Sequence, residues 1–429
     1  MKSSQRKICQ ILALVVSGMG ASVAMASPLV QGGGSSLVAP TIGNVSNLNT
    51  EIGLFGTTEG TFTYYSVGSG AGQNAFLNNQ PTYFGATVTG TVDFANSDAA
   101  LTTAQITAYK SGLATVDGPL IQIPYIVTPI TVPVVNGPAV TSTTTPQTTP
   151  GQAHSIALND DDLCGIFSGK ITDWNAVVNP ENGSFYSATS MPIKVVYRTD
   201  GSGTTELLTR HLHAVCTTSN TATGVTFSDG LTFVSNFPSN TPPSNFVGAA
   251  GSGGVRSTLL SYQTSGSQAA VAYLSPDYTN TFLAPSSSSA SPALAVASLR
   301  NATNSTYYAP TAANATLAVS SASAPTKLTA SNPAAWVPAS GNPASGYPVS
   351  GTSEILVSQC YAASAVTTAV HDYLTNHYTN ASFASIVHGN GFDTVPSSYQ
   401  AAIQADFLSN TSGLNLDIGN ATVCAGKGR

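Results

Sequence analysis

The stretch Val195–Leu212, VVYRTDGSGTTELLTRHL, decides the fold. Its apolar, β-branched start continues from Met191 and predicts a strand ending at Arg198; Asp200–Gly203 reads as a glycine-bearing turn, and Thr204 to Val215 as a helix. At the helix start stand Ser202, Gly203 and Thr204, where backbone N–H groups have no intrahelical partner and the helix dipole presents its positive end. Only 7% of the residues are charged, against roughly 25% in an average soluble protein. An arginine placed at such a turn, in a chain so poor in charge, points to a local demand for an anion.

The strand–turn–helix pattern recurs on both sides. TFTYYSV (61–67) predicts a strand entering the turn GSGAG, followed by a helix over QNAFLNN, and TVDFANSDAAL contains a short strand ending at Ser97–Asp98. Residues 119–136 are β-rich, with prolines that suggest a long, bent or edge connection. DDDLCGIFSG, GVRSTLLSYQ, AASAVTTAVHDYLTNHY and SSYQAAIQADFLS read as helices, and AAVAYLSPDY and SEILVSQ as strands. Alternation of this kind predicts an α/β protein. Residues 283–345, rich in Ser, Ala, Thr, Asn and Pro, are expected to form a loop or irregular insertion. No internal repeat of solenoid length is visible.

The 429 residues are enough for two domains or one two-lobed body. Lys2, Arg6 and Lys7 precede an apolar run that ends in AMA at Ala26, the pattern of a secretory signal peptide cleaved after Ala26. Those are the basic residues before Ser27, and no acidic residue lies there, so the formal charge goes from −6 for the whole chain to −9 beyond the signal. A balance of that sign argues against nucleic acid as a partner. No other segment is apolar for long enough to span a membrane. Cys164, Cys216, Cys360 and Cys424 remain after the signal, an even count that in an exported chain predicts two disulfides with three possible connectivities.

Several chemistries are absent from the pattern. There is no phosphate-loop G-x-x-x-x-G-K-[ST], no G-x-S-x-G beyond the signal and no H-E-x-x-H. His211 and His213 point to different sides of a helix, so no metal site is expected there, and no cofactor is called for. What stands out is a set of short hydroxyl-rich turns: GGGSSLVAP (32–40), SVGSGAG (66–72), NSDAALT (96–102) and RTDGSGTTE (198–206). Each alone is an ordinary loop. Together they supply helix N-termini, hydroxyl donors and one guanidinium that can grip two oxygens of a tetrahedral anion. Asp98 is the discriminating member. A carboxylate repels an oxyanion unless that anion carries a proton, so Asp98 selects phosphate over sulfate; its other role would be to cap the next helix.

With these residues in view, the chain resembles the phosphate-binding proteins of bacterial phosphate uptake, in particular the DING branch. The strings LCGIFSGKITDWNAV (163–177), VVYRTDGSGTTELLTRHLHAVC (195–216), AVAYLSPDY (270–278), SNPAAWVP (331–338), SGYPVSGTSEILVSQCYA (345–362) and IGNATVCAGKGR (418–429) carry the likeness over nearly the whole chain. The resemblance implies a two-lobed periplasmic-binding-protein fold of type II, each lobe a mixed sheet flanked by helices, with the ligand in the cleft. Lobe one would comprise 27–125 and 273–429, and lobe two 126–272, with crossings near Ile123–Thr128 and Ala270–Ser275. The resemblance also implies the ligand set: Ser36, the Leu37 N–H, Ser69, Asp98, Arg198, Ser202, Gly203 and Thr204, with Asp200 orienting Arg198. It implies the pairings Cys164–Cys216 and Cys360–Cys424. The segment that names the branch, Asp-Ile-Asn-Gly, is Leu29-Val30-Gln31-Gly32 here, and Ser36 replaces the usual threonine.

The expected function is therefore non-catalytic capture of inorganic phosphate by an exported monomer, in the periplasm or outside the cell, with an ABC-type permease as the partner in uptake. A secreted phosphatase using the same pocket, and a surface or adhesion protein on the same fold, are the alternatives.

Overall fold

A computed structural model describes residues 27–279, 292–338 and 341–429. The signal peptide and residues 283–291 of the expected insertion lie outside the described residues.

Two principal sheets are built largely from different parts of the chain. The larger has the order β13-β4-β12-β3-β1-β2, from β1 (Leu29–Gly34), β2 (Thr61–Ser66), β3 (Phe94–Ser97), β4 (Leu120–Pro129), β12 (Ser350–Ser358) and β13 (Asp393–Thr394). β1 runs parallel to both β2 and β3, whereas β12 is antiparallel to β3 and β4, and β13 to β4. The second sheet has the order β5-β9-β7-β8, from β5 (Val134–Val135), β7 (Ile193–Arg198), β8 (Phe246–Ala249) and β9 (Ala269–Ala272). In it β7 is parallel to β8 and β9. A third, small sheet joins β6 (Ala157–Leu158), β10 (Ser298–Arg300) and β11 (Tyr307–Tyr308).

The central strands β4 and β12 of the larger sheet are buried runs, as mixed sheets covered by helices require. Val30, Phe62, Phe94, Ile123 and Ile355 line its core, and Val196, Val255, Leu259 and Ala270 belong to the core of the second sheet. The backbone passes between the sheets just after β4, where Thr131 and Leu274 exchange N–H···O bonds of 2.7 and 3.0 Å. Helices start where local chemistry directs. Thr102 and Gln105 form a capping box for helix Thr103–Ser111, and Asn159 and Asp162 do so for helix Asp160–Ser168, which ends on a left-handed Gly169 at φ 79°. Both disulfides are present, Cys164–Cys216 and Cys360–Cys424.

The region expected to be irregular is partly regular. Between residues 292 and 338 it contributes β10, β11 and helix Ala312–Val319, whose Ala315 and Val319 pack with Val127 of β4. The sequence reading also gave all residues after 272 to the first lobe. Instead β10 pairs with β6, and Leu294 packs in the core of the second sheet. Two- and three-residue strands show no periodicity, and an alanine helix in a Ser/Thr-rich segment has no polar–apolar contrast, so neither left a signal.

Candidate functional site

The carboxyl ends of the parallel strands carry the candidate residues, as is usual for ligand sites in open α/β sheets. In the larger sheet Ser35–Leu37 follow β1, Ser69 opens helix Ser69–Leu77 after β2, and Asp98 follows β3. In the second sheet Arg198 ends β7, Ser202 caps helix Gly203–Val215, and Gly251 and Ser252 open helix Gly251–Ser265 after β8. The two sets face each other and touch. Gly70 donates its N–H to the Gly201 carbonyl at 2.9 Å, and a Cβ on Gly203 would lie 2.6 Å from both the Asp98 Cβ and the Ser69 hydroxyl. Gly203 is thus one position where close approach, rather than backbone angle, requires glycine.

Every residue proposed from sequence is brought to this junction and buried: Ser36, Leu37, Ser69, Asp98, Arg198, Ser202, Gly203 and Thr204. Arg198 donates from Nε to Asp200 Oδ1 at 2.8 Å and from Nη2 to Asp200 Oδ2, and from Nη1 to the Ser252 hydroxyl at 3.2 Å. Asp200 also accepts the Gly251 N–H at 2.9 Å. Burial opposes ionisation of Asp200, but the bonds and charge of Arg198 outweigh it and hold its carboxyl below the usual range. The Arg198 backbone is held by Tyr273, whose hydroxyl oxygen accepts the Arg198 main-chain N–H at 3.0 Å.

Asp98 does not cap the next helix, a task that falls to Thr102. Its Oδ1 accepts from Ser35 Oγ at 2.6 Å, its Oδ2 lies 3.4 Å from Ser69 Oγ, and its N–H donates to Ser69 Oγ at 3.1 Å. Burial pushes the Asp98 carboxyl above its usual range, against the hydrogen bonds of Ser35 and Ser69 and the charge of Arg198. At the second helix, Thr205 donates its N–H to Ser202 Oγ at 3.2 Å and Glu206 to the Ser202 carbonyl at 3.1 Å. That leaves the N–H groups of Gly203 and Thr204 at the open end of the helix, beside a Thr204 hydroxyl that is buried and makes no hydrogen bond. The Leu37 N–H, expected to face a ligand, donates to Ser35 Oγ at 3.0 Å.

Residues 19–377 match the PBP superfamily domain. The chain belongs to this superfamily. Within it the chain is a DING-type phosphate-binding protein. It is 35% identical over 387 residues to a phosphate-binding protein from an unknown prokaryotic organism, covering 87% of this chain and 94% of that one. It is also 35% identical over 369 residues to alkaline phosphatase L of Pseudomonas aeruginosa, covering 86% and 87%. Among solved structures, the high-affinity periplasmic phosphate-binding protein PfluDING, bound with phosphate, superposes with a TM-score of 0.73 at 33% identity, covering 93% of this chain and 99% of that one. The PBP fold is two-lobed, so the two principal sheets are the centres of two lobes and the junction lies in the cleft between them.

The DING-type site holds residues that sequence reasoning passed over. Ser252 bonds both Ser36 and Arg198, Ser35 holds Asp98, and the Tyr64 hydroxyl donates to the Ser35 carbonyl at 2.7 Å. Ser252 did leave a signal: AGSGG (250–254) is a fourth glycine–serine turn between a strand and a helix. Ser35 left none that separates it from Ser36, its neighbour of the same type. His211, set aside as a metal ligand, bonds the Gly341 carbonyl at 2.7 Å and Asp160 at 3.0 Å, and His213 bonds the Phe227 carbonyl at 2.8 Å.

Proposed function

We propose that this DING-type protein is an exported, non-catalytic receptor that captures inorganic phosphate between its lobes. One jaw is formed by residues 27–125 with most of the chain beyond 300, the other by 126–272 with β10. The observation that carries the reading is the convergence of buried Arg198 and buried Asp98 on the open end of helix Gly203–Val215, where the Thr204 hydroxyl has no hydrogen-bond partner. Arg198, oriented by Asp200, supplies the positive charge. Ser36, Ser69, Ser202 and Thr204 supply hydroxyl donors, and Gly203 and Thr204 supply N–H groups. Asp98 accepts the proton that phosphate carries near neutral pH. Sulfate brings no proton and would set acceptor against acceptor in a buried site. Sites that leave a buried polar group unpaired against a near-isostere reject it by roughly 10⁴–10⁵.

Phosphate captured outside the cytoplasm would pass to an ABC-type permease, consistent with the apolar leader before Ser27 and with a chain in which no helix among the described residues is long and apolar enough to cross a membrane. Titration calorimetry on ligand-stripped protein decides the matter: phosphate binds and sulfate does not, and absence of phosphate binding rejects the reading.

The alkaline phosphatase L relatives give a second reading, phosphomonoester hydrolysis in the same cleft. The hydrogen bonds of the histidines tell against it, since they lead to residues elsewhere and none to Ser36, Ser69 or Ser202. Steady turnover of a phosphomonoester by pure protein, abolished in Ser202→Ala, would establish it.

A further inference from the structure

Asp98 has two carboxylate oxygens, and the structure treats them differently. Oδ1 accepts a short bond, 2.6 Å, from Ser35 Oγ; Oδ2 has only the 3.4 Å approach of Ser69 Oγ. The Ser35 hydroxyl is itself oriented. The Leu37 N–H donates into Ser35 Oγ at 3.0 Å, so the oxygen accepts from that side and its own proton is directed at Asp98. The rest of Ser35 is equally fixed: its N–H donates to the Asn96 carbonyl at 2.8 Å and its carbonyl accepts from Tyr64 at 2.7 Å. The residue is fully buried, so no water competes for these bonds.

We propose that Ser35 is a positioning residue for phosphate selectivity, one that occupies Oδ1 of Asp98 and leaves Oδ2 as the oxygen that accepts a proton from the bound anion. The proposal rests on the phosphate reading above and deepens it. A carboxylate reads a proton on its ligand only while it is itself unprotonated and turned the right way. Once protonated it becomes a donor, and sulfate is then as acceptable as phosphate. Burial drives Asp98 toward that protonated state. Glu354 of β12, Asp277 of helix Pro276–Thr279 and the Tyr64 phenol of β2 also surround it; burial and the charge of Asp98 push all three upward. Arg198 of β7 and the hydrogen bonds of Ser35 and Ser69 act the other way, with Ser35 the largest of these. Charge-assisted bonds of this kind form a relay from the Leu37 N–H through Ser35 to Asp98, each polarising the next.

The test is calorimetric titration of the parent, Ser35→Ala, Asp98→Asn and the double variant with inorganic phosphate and with sulfate, from acid to neutral pH, with thermal melts to confirm folding. In the parent, sulfate binding emerges only as the pH is lowered far enough to protonate Asp98. In Ser35→Ala it emerges at a higher pH, and phosphate binding near neutrality weakens about tenfold, as expected for loss of a bond to a charged group. In the Asp98→Asn background the Ser35→Ala change has no further effect, because no carboxylate is left to hold. Should Ser35→Ala not fold, Ser35→Thr, which keeps the hydroxyl, is expected to retain the parent's profile. A sulfate profile identical in parent and Ser35→Ala, an equal loss of phosphate affinity in the Asp98→Asn background, or a Ser35→Thr variant with sulfate binding shifted as if the hydroxyl were gone, overturns the proposal. A parent that binds no phosphate overturns the underlying functional reading instead.

Discussion

The hydroxyl oxygens of Ser36 and Ser252 stand 2.9 Å apart, although 216 residues separate them in the chain. The Ser252 N–H also donates to Ser36 Oγ at 3.2 Å, so the first turn of helix Gly251–Ser265 reaches across the cleft to the turn after β1. Because Arg198 donates to the same Ser252 hydroxyl, this serine joins a group from each side of the junction. Ser252→Ala is expected to weaken phosphate binding by roughly 5- to 30-fold, the effect of one or two neutral hydrogen bonds, while leaving the sulfate discrimination that belongs to Asp98. Calorimetry with both anions checks this; an unchanged phosphate affinity would show that the bridge does not contribute to closure.

Arg198→Ala is expected to abolish measurable phosphate binding, a loss of at least about 10³-fold, because it removes the guanidinium that reaches Ser252 and strands Asp200. Arg198→Lys is expected to fail almost as badly, since an ammonium cannot donate in a fork to Asp200 and still bond Ser252. A lysine variant of near-parental affinity would mean that charge alone is what the site requires.

Gly203→Ala tests closure separately from chemistry. The added carbon would meet Asp98 Cβ and Ser69 Oγ at 2.6 Å and Asp98 Cα at 2.7 Å. The lobes would have to part to admit it, while the core of neither lobe is touched. Phosphate affinity is expected to fall by on the order of 100-fold with little change in melting temperature, since remote misplacement of about 1 Å can cost as much. A large fall in melting temperature would place the damage in the fold instead.

Stability should depend on pH through Asp162. Burial pushes its carboxyl from 3.8 to about 7, aided by the charge of Asp161 and opposed by the N–H of Asn159 and by a backbone hydrogen bond from Val178. A folded-state value above the unfolded one means that the native protein holds the proton more tightly. The stabilisation is therefore complete below pH 3.8 and is lost as the pH rises through about 7. Asp162→Asn keeps an acceptor for the Asn159 N–H at the helix start and removes the titration. Its unfolding free energy is expected to be flatter than the parent's from pH 4 to 7 and higher above pH 7, by on the order of a few kcal/mol. Denaturant titrations across that range, parallel for parent and variant, would reject the assignment.

The Cys360–Cys424 bridge closes a loop of 64 residues, and paired replacement by serine is expected to cost about 2–5 kcal/mol in denaturant titration. The same region anchors a site helix. The Arg429 guanidinium lies 3.8 Å over the Phe76 ring, donates to the Phe76 carbonyl at 2.6 Å and pairs with Asp117 at 3.2 Å. Phe76 belongs to the helix that begins at Ser69. Loss of the bridge should therefore weaken phosphate binding as well as stability; an unaffected affinity would show that helix Ser69–Leu77 holds its place without it.

Much of this site was legible because its signals are local. Arg198, Ser202 and the helix after them can be read from eighteen consecutive residues, since strand propensity, a glycine turn and an N-cap each act within a few positions. The place of Asp98 among hydroxyl groups was legible too, from the four hydroxyl-rich turns taken together. Ser35 and Ser252 were not, because nothing local says whether a serine hydroxyl turns toward solvent, its own backbone or a residue 63 or 216 positions away. The elements between 292 and 338 were hidden for a related reason: β10 exists because β6 pairs with it, not because Ser298–Arg300 favours a strand.

Arg198 is buried and its charge is met by Asp200 a few ångströms away, on a protein whose remaining surface is sparsely and negatively charged. Fields from such a pair do not reach beyond a screening length of about 8 Å at physiological ionic strength. An anion approaching the cleft is therefore neither drawn in nor guided, and its arrival is set by diffusion and by how often the jaws stand open. Affinity would then reside in dwell time rather than in encounter, and added salt should not slow capture.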